Sequence, residues 1–303
     1  NMVLDNEEIV IFDGIDFNPD LRWIDVMSEV AFCTMDLTDR KRPDLARRLL
    51  NAYLEQSGDY VGVDLLPFYL TYRSLVRAKV AHLGWQQHEE EEHELRQSLT
   101  HQRQEYLDLA TQYTKPGSPE LLITHGLSGS GKSVGTQRVV EELGAIRVRS
   151  DVERKRLAGL QAMDNSHSSI QSDLYSSTST EATYHRLAQA AEHIIRAGFT
   201  AILDATFLKA EQRTMMRNLA ERLQVPFRIL DFQASDEQLR ERITRRLAEG
   251  ADPSEANVEV LEYQIQNREP LTADELTTTI LVNTEEVDSV DQLIANLKCE
   301  FGD

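Results

Sequence analysis

The chain is poor in cysteine, and it has no long hydrophobic run. Its 303 residues include only two cysteines, Cys33 and Cys299, whose separation in sequence allows neither a disulfide framework nor a metal-ligand spacing. No apolar segment approaches the roughly 20 residues that a membrane-spanning helix needs, and no secretory signal pattern opens the chain. We therefore expect a cytoplasmic protein with reduced thiols and no membrane partner.

Positive charge is also scarce relative to negative charge. The chain has 51 acidic and 32 basic residues, which gives a formal net charge of −19. An acidic surface repels nucleic-acid phosphates and anionic lipids, so the composition argues against a protein that coats DNA or a membrane. It still allows a local site for a phosphorylated small molecule. The hydrophobic fraction of 41% is ordinary for a globular protein, and the length suggests about two domains.

The first part of the chain predicts a mainly helical region over residues 1–112. Two short strands around a turn are expected within residues 1–17, and the hydrophobic spacing beyond them is that of amphipathic helices. One of these helices, over residues 20–37, would place Trp23 on its apolar face. The acidic stretch at the start of the last helix, residues 88–113, is expected to face water rather than to bind a metal.

Residues 113–119 predict a linker, because their prolines and glycine cannot continue a helix. From residue 120 to residue 303, short apolar runs alternate with amphipathic segments, which predicts an α/β fold with a parallel sheet and flanking helices. A Ser-rich segment, residues 165–181, predicts a mobile loop before a helix. The expected strands are Leu121–His125, Ile146–Arg149, Thr200–Leu203, Phe227–Phe232 and Thr278–Val282.

The strongest signal is a stretch that matches the P-loop pattern G-x-x-x-x-G-K-[ST]. A strand is predicted before it and a helix after it, as a phosphate-binding loop requires. Glycines let backbone N–H groups point at phosphate oxygens, and the helix start adds a positive end. Lys132 would contact the β- and γ-phosphates, and Ser133 would offer its hydroxyl to Mg²⁺. The residues of the pattern are Gly126, Leu127, Ser128, Gly129, Ser130, Gly131, Lys132 and Ser133.

Acidic residues follow two further predicted strands. Asp151 comes at the carboxyl end of the second strand, where ligands bind in open α/β sheets. It could accept the proton of a substrate hydroxyl, or it could cap the following helix. Arg154, one helical turn further on, could hold an anionic group of the substrate. Asp204 ends the third strand in a Walker B arrangement and would hold Mg²⁺, although a residue of a strand-end turn is the alternative.

An arginine-dense helix and the loop after it, residues 236–256, suit a lid that closes over a triphosphate. Arg242 and Arg246 are four residues apart and therefore share one helix face. We expect them to stabilise charge on the transferred phosphoryl group. The alternative for each is a solvated arginine on an exposed helix. No N-K-x-D element that would select guanine is visible, so a GTPase is less expected.

Four stretches together resemble a known group of proteins. They are GLSGSGKS, RSDVERKRL, GFTAILDATFL and RERITRR with the DPSEA and VLEYQ that follow it. Over about residues 119–300 they resemble the P-loop kinase-like, AAA-type ATPase module, which is similar to gluconate kinase, polynucleotide 5′-kinase, chloramphenicol phosphotransferase and zeta toxins. The resemblance implies phosphoryl transfer from ATP to a hydroxyl, with Asp151 as the base and a strand order of 2-3-1-4-5.

The first half resembles the C-terminal lobe of aminoglycoside phosphotransferase-like kinases. Asn1 would match the last residue of that family's catalytic loop, and Asp13 in IVIFDGIDF would match its metal-binding aspartate. Asp25 and Glu29 would match buried acidic positions in the next helix. The family's loop aspartate and N-terminal lobe have no counterpart in this sequence, so we expect an N-terminally truncated remnant of this lobe. As a whole, the chain resembles bifunctional proteins that join such a part to an ATP-binding part.

The leading hypothesis is ATP-dependent phosphoryl transfer to a hydroxyl of a small-molecule substrate by residues 120–303. A second hypothesis is a regulatory module that binds and slowly hydrolyses ATP for an attached phosphotransferase-like part. A third is a polynucleotide 5′-hydroxyl kinase, against which the net charge of −19 argues. Neither the acceptor nor the oligomeric state follows from the sequence, although the Ser-rich segment with Tyr175 is expected to border the acceptor.

Overall fold

The computed structural model describes residues 2–301 apart from positions 7, 13, 15–16, 90, 163, 165–176 and 250–255. Asn1, Asp13 and Tyr175, which the sequence analysis singled out, lie outside the described residues. Within the described part of the chain, a small ribbon and a group of helices precede a five-stranded sheet with its own helices. This arrangement confirms the predicted helix-rich region followed by an α/β fold.

The N-terminal region combines an antiparallel ribbon with helices that pack on one another. The ribbon pairs β1 (Met2–Asp5) with β2 (Glu8–Ile11), as predicted. Met27, Leu54 and Tyr106 are almost fully buried between the helices and mark the interior of this region. The helices are α1 (Pro19–Arg22), α2 (Val26–Asp39), α3 (Pro43–Ser57), a 3-10 helix (Gly62–Leu65), α4 (Leu66–Gln87) and α5 (His93–Tyr113).

Two sequence predictions in this region are wrong. Residues 20–37 do not form one helix, and Trp23, which was expected on the apolar face, is 79% exposed. The helix is interrupted because Asp25 caps α2, its Oδ1 accepting a hydrogen bond from the Met27 N–H at 2.9 Å. Asp25 and Glu29 were expected to be buried, and both are exposed.

The acidic stretch before α5 also differs from the prediction. The helix begins at His93 rather than at residue 88, because the like charges between these positions would repel one another within a helix. Among the described residues, no group of three or more His, Cys, Asp or Glu side chains is arranged to hold a metal. None of the described helices is both long enough and apolar enough to cross a membrane.

The sheet contains five parallel strands in the order β4-β5-β3-β6-β7. When the strands of this sheet alone are numbered 1 to 5 along the chain, the order is 2-3-1-4-5, as the resemblance implies. Each strand lies within one residue of its predicted bounds, because each apolar run is closed by a polar residue or a turn. The strands are β3 (Leu121–His125), β4 (Ile146–Arg149), β5 (Ala201–Asp204), β6 (Phe227–Gln233) and β7 (Thr279–Asn283).

Helices cover both faces of this sheet. On one face, Leu122 packs with residues of α6 and α13, and on the other face Leu121 and Ile123 pack with residues of α8 and α9. The alternation follows from the two-residue period of a strand, and the burial of both faces is typical of parallel sheets. The helices are α6 (Lys132–Leu143), α7 (Ser150–Leu157), α8 (Ser177–Arg196), α9 (Ala210–Leu223), α10 (Asp236–Glu249), α11 (Val258–Asn267), α12 (Ala273–Leu276) and α13 (Ser289–Phe301).

The N-terminal helices and the sheet share one hydrophobic core. Leu54 of α3 belongs to the same buried cluster as Val148 of β4. At the open side of β4, the Asn51 side chain accepts a hydrogen bond from Arg147 N at 2.8 Å and donates one to Ala145 O at 3.2 Å. Helix α3 therefore covers the edge strand and occupies its free backbone groups.

Candidate functional site

One large cavity opens at the carboxyl ends of the strands. Its volume is about 1160 Å³, which exceeds the roughly 300–1,000 Å³ typical of a pocket for one small molecule. The P-loop, the start of α7, the end of β5, the arginine face of α10 and residues 284–290 contribute to its wall. The topology explains this convergence, because the carboxyl ends of parallel strands lie at one edge of a sheet.

The P-loop connects β3 to α6 and turns sharply at its glycines. Gly126, Gly129 and Gly131 have φ angles of +137°, +84° and +87°, which side chains with a Cβ rarely adopt. A Cβ on Gly126 would lie 2.4 Å from Phe232 O, and one on Gly129 would lie 3.0 Å from Leu239 O. The pattern therefore has glycines where both the backbone conformation and the neighbouring chain require them.

Lys132 begins α6 and turns back over the loop. It is only 8% exposed, and its Nζ donates hydrogen bonds to Gly126 O at 2.9 Å and to Leu127 O at 2.6 Å. Burial lowers the pKa of Lys132 to about 8, although the carboxylates of Asp204 and Asp151 act to raise it. The site thus holds a desolvated cation that an anionic ligand would stabilise.

Ser133 and Asp204 meet beside this cation. The Ser133 hydroxyl donates a hydrogen bond to Asp204 Oδ2 at 2.8 Å, and Asp204 is only 5% exposed. A hydroxyl and a carboxylate are oxygen ligands of the kind that Mg²⁺ prefers. The donor set therefore fits the metal that the sequence predicts at these two residues.

Asp151 lies in the first turn of α7 and lines the same cavity. Its side chain is 32% exposed, and its Oδ1 is 3.8 Å from Nη1 of Arg154, which is 12% exposed. The N-cap position of α7 belongs to Arg149 rather than to Asp151, so the alternative role of Asp151 as a helix cap is wrong. The carboxylate instead faces the cavity with Arg154 beside it.

Arg242 and Arg246 reach the cavity from α10. Arg242 donates hydrogen bonds to Oγ1 and O of Thr284 at 2.8 and 3.0 Å, and its Nη1 lies 3.5 Å from Gly129 O. Arg246 donates from Nη2 to Ala256 O at 2.7 Å. Arg242 therefore connects the P-loop to the segment after β7, while Arg246 is close enough to Lys132 to affect its pKa.

Most of the predicted site residues meet in this one cavity. Gly126, Leu127 and Ser130 do not line it. The predicted residues that do line it are Ser128, Gly129, Gly131, Lys132, Ser133, Asp151, Arg154, Asp204, Arg242 and Arg246.

The sequence analysis missed Gln264, which lies on α11. Its Oε1 accepts a hydrogen bond from Ser128 N at 2.9 Å, so it occupies a P-loop amide, and its side chain lines the cavity. The stretch VLEYQ that contains it entered the analysis only through the resemblance. Its amphipathic pattern marks the buried face of the helix, but it carries no sign of a contact with the P-loop.

Phe207 follows Asp204 and adopts an unusual backbone conformation. Its φ is +46° although its side chain is bulky and fully buried. Nη1 of the buried Arg213 donates a hydrogen bond to Phe207 O at 3.1 Å, and the Tyr184 ring packs edge-on against the Phe207 ring with their centroids 5.0 Å apart. Packing thus holds a strained backbone three residues after Asp204.

Comparison with known proteins agrees with this architecture. Residues 121–271 match the family model of the AAA domain. An uncharacterized protein of Mycobacterium tuberculosis and one of Mycobacterium bovis are each 30% identical over 213 residues, which are 70% of this chain and 41% of the relative. The match thus spans about two fifths of the length of these curated relatives.

Solved structures of lower identity were also found. A sugar kinase from Janibacter sp. is 20% identical, with 59% of this chain and 92% of that chain covered and a TM-score of 0.44. Kti12 from Chaetomium thermophilum, in complex with ADP-AlF3, is 15% identical, with coverages of 61% and 100% and a TM-score of 0.47. Residues 121–271 are thus similar in sequence to the AAA domain, and this stretch contains the P-loop. The aminoglycoside phosphotransferase-like character of residues 1–112 stays a prediction.

Proposed function

We propose that this chain transfers the γ-phosphoryl group of ATP to a hydroxyl of a small-molecule acceptor. The observation that carries the proposal is that one cavity contains both the P-loop cation Lys132 and, on a separate segment, the accessible carboxylate of Asp151. The cavity volume of about 1160 Å³ leaves room for a second ligand beside a nucleotide. A site for nucleotide binding alone would need neither that room nor that carboxylate.

On the nucleotide side, the P-loop binds the triphosphate through its amides and the positive end of α6. Lys132 contacts the β- and γ-phosphates, and Ser133 with Asp204 holds Mg²⁺. The metal, when bound, neutralises charge on the phosphate oxygens. Arg246, which lies near Lys132, stabilises the charge of the transferred group, and Arg242 holds the lid against the P-loop.

On the acceptor side, Asp151 and Arg154 carry the chemistry. Arg154 orients an acceptor that bears an anionic group. Asp151 accepts the proton of the acceptor hydroxyl while that oxygen forms its bond to the γ-phosphorus. The bond from phosphorus to the bridging oxygen breaks, and ADP leaves. The net charge of −19 favours a small molecule over a polynucleotide as the acceptor.

A second candidate function is regulation of an attached part by ATP binding and slow hydrolysis. One specific observation favours it, namely the contact of α3 with α6, the helix that begins with Lys132. The Arg47 guanidinium of α3 donates a hydrogen bond to Glu141 O of α6 at 2.7 Å. A shift of α6 when the nucleotide is hydrolysed would therefore act directly on α3 of the N-terminal helices.

The deciding experiment is a screen of hydroxylated metabolites for acceptor-dependent ADP formation, followed by variants. Asp151→Asn is expected to lower acceptor-dependent turnover about 10²- to 10⁴-fold, because it removes the general base, while ATP affinity stays within about twofold. Lys132→Ala is expected to lose both acceptor-dependent turnover and ATP binding. Glu211 is another carboxylate at the cavity wall. Glu211→Gln is therefore the matched control and should retain turnover.

One outcome would contradict the base assignment, and another would contradict the kinase assignment. Full turnover in Asp151→Asn would remove Asp151 as the base. An ADP formation rate that no metabolite changes would instead support the regulatory candidate.

A further inference from the structure

Two arginines of the edge strand β4 are buried beside the metal site. Arg147 and Arg149 are two residues apart and so project from the same face of β4, with side chains 9% and 10% exposed. Nη1 of Arg147 donates a hydrogen bond to Ser133 O at 2.9 Å. Nε of Arg149 lies 3.9 Å from Asp204 Oδ2. The two arginines therefore contact the pair of residues that we assign to Mg²⁺.

A carboxylate from the N-terminal helices bridges both arginines. Glu55 lies on α3, outside residues 121–271 that match the AAA domain. Its Oε1 is 3.3 Å from Nη1 of Arg149, and its Oε2 is 3.6 Å from Nη2 of Arg147. Arg156 donates a hydrogen bond to the backbone oxygen of Glu55. The end of α3 is thus fixed in place, and its carboxylate faces the metal site through one layer of guanidinium groups.

Arg149 stands between two carboxylates, those of Glu55 and Asp204. Electrostatic attraction is strong where water is excluded, so removal of the Glu55 charge would draw Arg149 towards Asp204. Oδ2 of Asp204, the oxygen that lies 3.9 Å from Nε of Arg149, also accepts the Ser133 hydroxyl hydrogen bond. A guanidinium that closes on this oxygen competes with a metal ion for the same lone pairs.

We propose that Glu55 is a positioning residue for the magnesium site. By holding Arg147 and Arg149, it keeps Asp204 available to the metal, so the N-terminal helices complete the nucleotide site of the AAA domain. This inference rests on the proposed function, because it needs Mg²⁺ and a nucleotide at the P-loop. Neighbours that orient metal ligands commonly change metal affinity 10- to 100-fold when they are altered.

The chain offers a matched control for simple docking of the two regions. Oδ2 of Asp64, on the 3-10 helix, lies 2.8 Å from Nδ1 of His193 on α8. This contact also joins the N-terminal helices to the α/β part, but neither of its residues lines the cavity. Asp64→Asn therefore removes a docking contact without touching the arginines of β4.

The test measures ATP binding to the full chain by calorimetry, once with Mg²⁺ and once with EDTA. Glu55→Gln is expected to weaken ATP binding in Mg²⁺ about tenfold and to leave binding in EDTA within about twofold. Asp64→Asn is expected to match the wild type in both conditions. In an Asp204→Asn background, Glu55→Gln should cause no further loss, because its effect passes through Asp204.

Other results would overturn the inference. One such result is wild-type ATP affinity of Glu55→Gln in Mg²⁺. Another is an equal loss of ATP affinity in Mg²⁺ and in EDTA, which would indicate a docking role alone. If Glu55→Gln does not fold, Glu55→Asp replaces it, since its shorter side chain places the carboxylate farther from both arginines, whose contacts with Glu55 are already 3.3 and 3.6 Å long. This variant should show the same loss of ATP affinity in Mg²⁺ only. If that loss does not occur, the inference is overturned. Failure of the wild type to bind ATP in either condition would instead refute the proposed function.

Discussion

Lys132 shows how the environment of a single residue prepares the site. The first turn of α6 and the loop carbonyls surround its ammonium group and exclude water. Burial therefore lowers its pKa to about 8, compared with 10.5 for an ordinary lysine. A bound triphosphate adds negative charge next to the ammonium group and raises its pKa again. We therefore expect proton uptake to accompany nucleotide binding.

This coupling gives a prediction with a definite sign. Above about pH 8 the free protein holds Lys132 largely neutral, while the bound state keeps it protonated, so ATP binding takes up a proton and weakens as the pH rises. Calorimetry at pH 8.5 in two buffers with different ionisation enthalpies measures the uptake. Lys132→Arg keeps the charge but cannot titrate in this range, so this variant should lack the uptake. Equal uptake in both proteins would exclude Lys132 as the source.

The same residues show what a sequence can reveal at this scale. The P-loop residues are contiguous, and the chemistry of each position follows from the pattern itself. Glu55 contacts Arg149 from 94 residues away, and Gln264 contacts Ser128 from 136 residues away. Nothing local distinguishes these two side chains from other polar residues of amphipathic helices. Only the packing of α3 and α11 brings them to the site.

Helix α6 approaches strand β6 closely at one glycine. Gly135 lies on the face of α6 that meets the Phe232 ring, and a Cβ on Gly135 would lie 2.3 Å from Phe232 Cε1. Phe232 is only 1% exposed, so its ring has little room to move away. Gly135 thus lets the helix that begins with Lys132 approach the sheet closely.

Gly135→Ala is therefore expected to destabilise the protein although alanine favours helices. Overpacking of a core costs about 1–3 kcal/mol, and the gain in helix propensity is about 1 kcal/mol, so a net loss of up to about 2 kcal/mol should follow. Denaturant unfolding followed by circular dichroism measures it. Val134→Ala, at a position 72% exposed on the same helix, should change stability by less than about 0.5 kcal/mol. A Gly135→Ala variant more stable than the wild type would contradict the close contact.

At this scale the strands were more predictable than the helix ends. A strand of a parallel sheet is a short apolar run, and its polar neighbours fix its ends, as Asp204 does for β5. The start of α2 instead depends on one side-chain hydrogen bond, that of Asp25. The apolar spacing around Trp23 gives no sign of this hydrogen bond. The late start of α5 depends in the same way on local charge rather than on periodicity.

The whole molecule joins the two predicted domains more closely than a linker suggests. The buried cluster that contains Val148 and Leu187 also contains Leu54 and Tyr60 from the N-terminal helices. Glu55 adds an electrostatic contact across the same boundary. Whether residues 113–119 separate two independent folding units is therefore an experimental question.

We expect residues 120–303, expressed alone, to be clearly less stable than the full chain. Exposed core residues and buried arginines that lack their carboxylate each cost several kcal/mol, so the melting temperature should fall by about 10 °C or more. Thermal unfolding of the fragment and of the full chain, followed by circular dichroism, makes the comparison. A fragment that melts cooperatively at the full-chain temperature would support two independent domains.

The central position of β3 has one more consequence. This strand has neighbours on both sides, and Leu121, Leu122 and Ile123 are fully buried. The cradle for the phosphates is thus attached to the part of the protein that opens only when the whole molecule unfolds. The helices α10 and α11 pack through a small separate cluster and can detach at lower cost. We therefore expect opening at α10 and α11 to cost less free energy than opening at β3.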